Sequence, residues 1–182
     1  MPPKSKVKEE DILQAAFILT RTDGFESVNA RNIAKKLDCS THPIFRVYKN
    51  MSVLKQKLYL YIEEYYNQYI ESKMEGENVF LSIGLAYLDF ASEESNLFKM
   101  LFMSNSIEVM DFMELIDSEE NQQVIYAITR LAQVDEKKAR KIYINTWLFA
   151  HGIAAMLATN NLTISSEKKE ELLKDAFISF KN

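Results

Sequence analysis

The sequence predicts an all-α chain, and three observations carry that prediction. Its 182 residues include only four glycines and three prolines, and no proline follows Pro43. A β-rich chain of this length would need many turns, which draw on both residues. Apolar residues recur at helical spacing over long stretches. The breaks between those stretches are short and polar: Glu75-Gly76, Ser104–Ser106, Asp117-Ser118 and 160–165. The length suffices for a sizeable core, about one to one and a half average domains.

Each element follows in order. Lys4 to Lys8 is a short basic tail, expected to be mobile. From Glu9 the apolar positions Ile12, Leu13, Ala15, Ala16, Phe17 and Leu19 have a helical rhythm. That helix is expected to stop at Asp23-Gly24, with Gly24 as a left-handed residue after the cap. Asn29 is a good N-cap for a short helix with Ile33, Ala34 and Leu37 inside. Asp38-Cys39 reads as a tight turn. Ser40 is expected to cap a third short helix through Ile44 and Phe45 to about Val47, with Pro43 tolerated in its first turn. Longer helices are expected over about 51–73, 77–92, 96–103, 107–116, 119–132, 136–159 (capped by Asp135) and 166–180.

Net charge is −4, but its distribution is uneven. Residues 1–57 carry eleven Lys/Arg against six Asp/Glu, and residues 58–182 carry eleven against twenty. A basic head can approach phosphates while an acidic body is repelled by them. The single cysteine, Cys39, excludes an internal disulfide and suits a reducing compartment. Without a signal-type N-terminus or an uninterrupted apolar run of membrane length, the expectation is a cytoplasmic protein with no membrane association. Two histidines, one cysteine, no glycine-rich phosphate loop, no metal-ligand spacing and no nucleophile motif argue against an enzyme, a metal site or a cofactor.

Two short helices joined by a tight turn, in a basic segment, suggest a helix-turn-helix whose second helix enters the major groove. The segment also resembles the N-terminal domain of TetR-type transcriptional repressors over residues 9–57. The likeness rests on Gly24-Phe25, on Val28 through Leu37, on Ser40-Thr41-His42-Pro43-Ile44-Phe45-Arg46-Val47-Tyr48-Lys49-Asn50, and on Leu54. It departs from the family pattern at Asp38, where a glycine is usual, and at Met51, where a lysine is usual. The resemblance implies a DNA-binding surface drawn from Asn29, Arg31, Ser40, Thr41, His42, Pro43, Phe45, Arg46, Tyr48 and Lys49. Within it Thr41, His42 and Phe45 are expected at bases, Arg31, Tyr48 and Lys49 at phosphates, and Arg46 at either. Residues 1–51 would form this domain, and 52–182 a helical bundle for ligand binding and dimerisation.

The body resembles one TetR subgroup through Trp147-Leu148-Phe149-Ala150-His151-Gly152 and Asn96 through Phe102. Trp147 and His151 are four apart and share a helix face. They read either as packing or as the wall of an effector pocket. The pocket reading adds Tyr61, Tyr65, Tyr87, Phe98, Phe102 and Met110. In the family the last two helices pair with their symmetry mates, which places Ile153, Met156, Leu157, Leu172, Leu173, Phe177 and Phe180 at a homodimer interface, unless they fold back on their own chain. The function expected is a repressor released from a palindromic operator on double-stranded DNA by a small apolar or amphipathic ligand. The alternative is a dimeric regulator without such an effector, controlled by a protein partner.

Overall fold

The computed structural model describes residues 7–74, 78–104, 116, 118–160 and 162–182; the expected helix over 107–116 and Met110 lie outside them, Ile116 excepted. The described residues are helical and turn structure without a strand. They fall into two compact units. One runs up to Asn67 and takes in Asn96–Met103; the other combines Gln68–Ser95 with the chain from Ser104 onward. The boundary between these units after Asn67 falls inside a long helix, and Asn96–Met103 groups with the first unit although it is distant in sequence.

The first unit opens with α1, Glu9–Asp23. The Asp11 carboxylate accepts the Lys8 backbone N–H at 2.8 Å and starts the helix. Gly24 ends it with φ 85° and ψ 161°. The positive φ is as expected, but ψ is extended rather than left-handed helical, so the chain leaves sharply into a 3-10 turn, Phe25–Ser27. The Ser27 hydroxyl lies 2.6 Å from the Gly24 carbonyl and 3.2 Å from that of Leu19.

Helix α2, Ala30–Lys36, starts where the Asn29 side chain accepts the Asn32 N–H at 2.9 Å. It ends in two reversed hydrogen bonds, Cys39 N–H to the Ala34 carbonyl and Asp38 N–H to that of Lys35. This closure requires a left-handed residue between them. Asp38 takes that place with φ 47°.

Helix α3, His42–Val47, follows directly. Ser40 does not cap it. Thr41 occupies the cap with φ −73° and ψ −14°, and no side chain caps the first turn. That backbone is already helical, whereas a capping hydroxyl needs the extended conformation.

Helix α4 spans Met51–Lys73, and Asn50 accepts the Val53 N–H at 3.0 Å before it. Ile12, Ala16, Ile33, Ile44, Leu54, Leu58 and Ile62 are fully buried. They are the inward positions of α1 to α4, at the spacing that one-sided burial demands. Helix α6, Ser95–Phe102, adds Leu97 and Phe98, also fully buried. The Asn96 amide donates to the carbonyls of Arg21 (3.0 Å) and Thr22 (3.4 Å), two of the carbonyls left open at the end of α1.

The second unit holds the rest of α4, α5 (Val79–Glu93), α7 (Glu119–Ala132), α8 (Glu136–Thr159) and α9 (Ser166–Lys181). Asn78, Asp135 and Ser165 cap α5, α8 and α9 by accepting the N–H groups of Leu81, Lys138 and Lys168. Helix α8 is central and packs on α5, α7 and α9. By length and composition it is long and apolar enough to cross a membrane, although Asn145, Thr146 and His151 interrupt its apolar run. Ala139, Ile142, Tyr143, Thr146, Ala150, Ala154, Leu157 and Ala158 of α8 are buried and form its core face, while Leu148, Phe149 and Met156 of the same helix are exposed.

Three residues expected on an outer dimer face turn inward instead. Leu157 and Leu173 are buried. A Leu173 methyl carbon would lie 3.1 Å from a Cβ placed on Gly84, so the glycine makes room for it. The Phe177 ring sits 5.3 Å from that of Phe80, beside a core of Ile116, Ile125, Ile128 and Ile142. For Leu173 and Phe177 the physical reason is that α9 packs on both α5 and α8 and fills the space between them with its own large side chains, while Leu157 lies on the buried face of α8 itself.

Candidate nucleic-acid interface

Helix α3 has six residues, so its few side chains separate cleanly by direction. Ile44 is fully buried and anchors it. Tyr48, just after it, is 3% exposed, whereas Phe45 is 48% exposed. His42 and Arg46 are exposed, and Thr41, Pro43 and Val47 are half-buried. Asn29, Arg31, Ser40 and Lys49 are also exposed. Most residues expected at a DNA surface are thus accessible, and seven of the ten lie between Ser40 and Tyr48.

Tyr48 is the exception, and its expected place on the surface is corrected. Its hydroxyl donates to Glu9 Oε1 at 3.3 Å, across from α1. The same carboxylate oxygen receives Lys57 of α4. Lys57 holds the Glu9 pKa below its ordinary value, while burial, helped by the Glu9 charge, pushes the Tyr48 phenol well up. Glu9 therefore stays ionised and Tyr48 stays a donor, and one carboxylate ties α1, the end of α3 and α4 together. Glu9 was not an expected site residue; it reads as one more charge in an acidic first turn. Two other expected contacts are partly engaged. An Arg46 guanidinium nitrogen donates to the Val7 carbonyl at 3.4 Å, and the Asn29 side chain is used by its helix cap. Lys55, which was not singled out, stands 4.5 Å over the Phe25 ring.

The aromatic residues expected to line a pocket separate into two groups. In the first unit, Tyr61 and Tyr65 meet the Phe17 ring edge-on at 5.5 and 5.1 Å, and the Tyr61 hydroxyl donates to Gln14 Oε1 at 2.9 Å. Phe102 packs between Phe98 (5.0 Å) and Tyr66 (5.2 Å). In the second unit, Trp147 stacks on His151 at 5.4 Å, as four-residue spacing on one helix allows. Tyr87 of α5 joins them, its hydroxyl 2.7 Å from His151 Nδ1. Burial lowers the His151 pKa, so the imidazole is neutral at neutral pH. One turn away, Thr146 Oγ1 is buried and, among the described residues, has no hydrogen-bond partner. An open cleft of about 330 Å³ lies elsewhere in this unit, between Gln122, Ile125, Tyr126, Thr129 and Glu136. None of these five was expected at a pocket.

The other residues expected at a dimer face differ in exposure. Met156 is exposed, and Ile153, Leu172 and Phe180 are half-buried. Leu148, Phe149 and Gly152, one to two turns before Met156, are exposed on the same side of α8. A Cβ on Gly152 would meet nothing within 4 Å.

Compared with protein-family models and with curated proteins, the chain has no match in either set.

Proposed function

We propose that this protein is a dimeric, DNA-binding transcriptional regulator of the TetR kind. It would be a repressor that binds a palindromic operator and leaves it when a small apolar or amphipathic ligand binds the body. One observation carries the reading. A short helix is anchored inward by Ile44 and Tyr48 and presents Thr41, His42, Phe45 and Arg46 outward, in a segment with a surplus of five positive charges on an otherwise acidic chain. Such a helix suits the major groove, and its excess charge suits the phosphates on either side. A two-fold pair of heads would read half-sites one helical turn apart. Ligand and operator would oppose each other reciprocally, because each favours a different arrangement of the dimer.

The test is fluorescence anisotropy of the full chain on duplexes enriched from a random pool. Lys49→Ala should weaken binding across all sequences and flatten the salt dependence by about one unit of slope. His42→Ala should change sequence preference instead. Absence of duplex binding at low salt would overturn the reading, and equal losses from both variants would overturn the roles given to them.

A further inference from the structure

We infer that Phe45 is a specificity-determining residue that recognises thymine through its 5-methyl group, so each half-site contains a thymine read by apolar contact. This rests on the DNA-binding reading and extends it to the chemistry of one base.

Phe45 lies four positions after Thr41 and three after His42, on the same face of α3. Its ring is 48% exposed, while its neighbours Ile44 and Tyr48 carry the inward packing. Among the described residues before Met51 it is the one exposed large apolar side chain. The fold gains little from a phenyl ring left half in water. Its surroundings are exposed and hydrogen-bonding: His42, Arg46 and Lys49. A phenyl ring has no hydrogen to donate to a phosphate and no acceptor for a base amine. What it offers is an apolar surface. On the major-groove edge of the base pairs, the apolar group that matches it is the thymine methyl, which separates thymine from the other bases by shape and hydration rather than by hydrogen bonding. The polar residues on the same face are left to the hydrogen-bonding edges beside that thymine.

The inference is tested with uracil, which keeps thymine's pairing and hydrogen-bonding edges and lacks only the methyl. The full-length protein is used to enrich duplexes from a random-sequence pool. Each thymine of the enriched sequence is then replaced singly by deoxyuridine, and dissociation constants are measured by anisotropy. The expected result is a loss of about fourfold at one thymine per half-site, the affinity equivalent of removing one methyl group from an apolar contact. Phe45→Ala should erase the thymine–uracil difference, and Phe45→Leu should keep part of it. Thermal unfolding checks that both variants fold, and the wild-type comparison stands without them. Equal binding with uracil at every position, or a Phe45→Ala protein that discriminates as the wild type does, would overturn the inference while leaving DNA binding intact. Enrichment of no duplex at all would overturn the DNA-binding reading and this inference with it.

Discussion

The exposed side of α8 makes a quantitative demand. Leu148, Phe149 and Met156 are 48%, 37% and 49% exposed around Gly152, whose Cα side stands open. Taken together, these exposed fractions amount to a little more than one whole apolar side chain. Burying one such side chain is worth about 1.5–3 kcal/mol, so a two-fold pair would gain about 4–8 kcal/mol from this strip, each residue counting twice. Association itself costs about 4–15 kcal/mol. The strip is thus close to the margin, and one charge in it should decide the outcome. Met156→Glu forfeits about 1 kcal/mol of apolar burial per protomer and strands a carboxylate, which costs at least the ~1–3 kcal/mol of an unpaired neutral polar group. Doubled by symmetry, that is at least ~4 kcal/mol, or about a thousandfold in the dissociation constant. Sedimentation velocity over a concentration series measures it, with circular dichroism to confirm that the variant is folded. A Met156→Glu protein with an unchanged dissociation constant, or a wild type that stays monomeric at the highest soluble concentration, would refute the reasoning.

Three further outcomes are expected. Asp38→Gly should stabilise the protein by about 0.5–1 kcal/mol, because glycine adopts φ 47° without the side-chain penalty; a melting temperature that falls would contradict the strain at this turn. Lys169 is buried and reaches Asp89 at 2.7 Å, so Lys169→Met should cost about 1–3 kcal/mol. That is less than a wholly buried pair would lose, since Asp89 keeps some contact with water, and adding Asp89→Asn should recover part of it; a double-mutant cycle in urea with zero coupling would exclude the pair as a stabilising contact. His151, with its pKa lowered by burial, takes up its proton at lower pH in the folded protein than in the unfolded chain. Stability should therefore be complete above about pH 6.5 and decline as pH falls from there towards the folded pKa. The slope should stay below ~1.4 kcal/mol per pH unit, reduced because the ring is only half-buried; thermal melts of His151→Phe should show a flatter profile across that window, and an identical profile would rule His151 out as the cause.

Much of this arrangement is legible in the residues. Asn29 and Asp135 announce helix starts because a short side-chain oxygen ahead of a helical rhythm has one common use, although Ser40 reads the same way and does not cap its helix. Asp38 announces a turn, and the left-handed residue that closes α2 is where it stands. Direction on α3 is not legible in the same way. With six residues, the helix is too short for periodicity to separate Phe45 from Tyr48, and which aromatic points inward depends on Glu9, nearly forty positions earlier. Four-residue spacing shows that Trp147 and His151 share a face; the third member, Tyr87, lies 64 positions away and carries no local sign. Leu173 and Phe177 look like any apolar strip until the space beside Gly84 and Phe80 of α5 is known to need filling. The mix of residues around Leu97 and Phe98 looks the same whichever unit they serve, so nothing in it marks α6 as part of the head.

That placement of α6 bears on how the protein is made. The first unit is not continuous in the chain. Asn96 closes carbonyls at the end of α1, and Leu97, Phe98, Met100 and Leu101 are buried side chains that residues up to Asn67 do not supply. On the ribosome, α1 to α4 emerge first yet remain incomplete until Met103 has followed. A fragment cut at the end of α4 would leave bare the apolar surface that α6 covers, and would be prone to self-association rather than serve as a free-standing head.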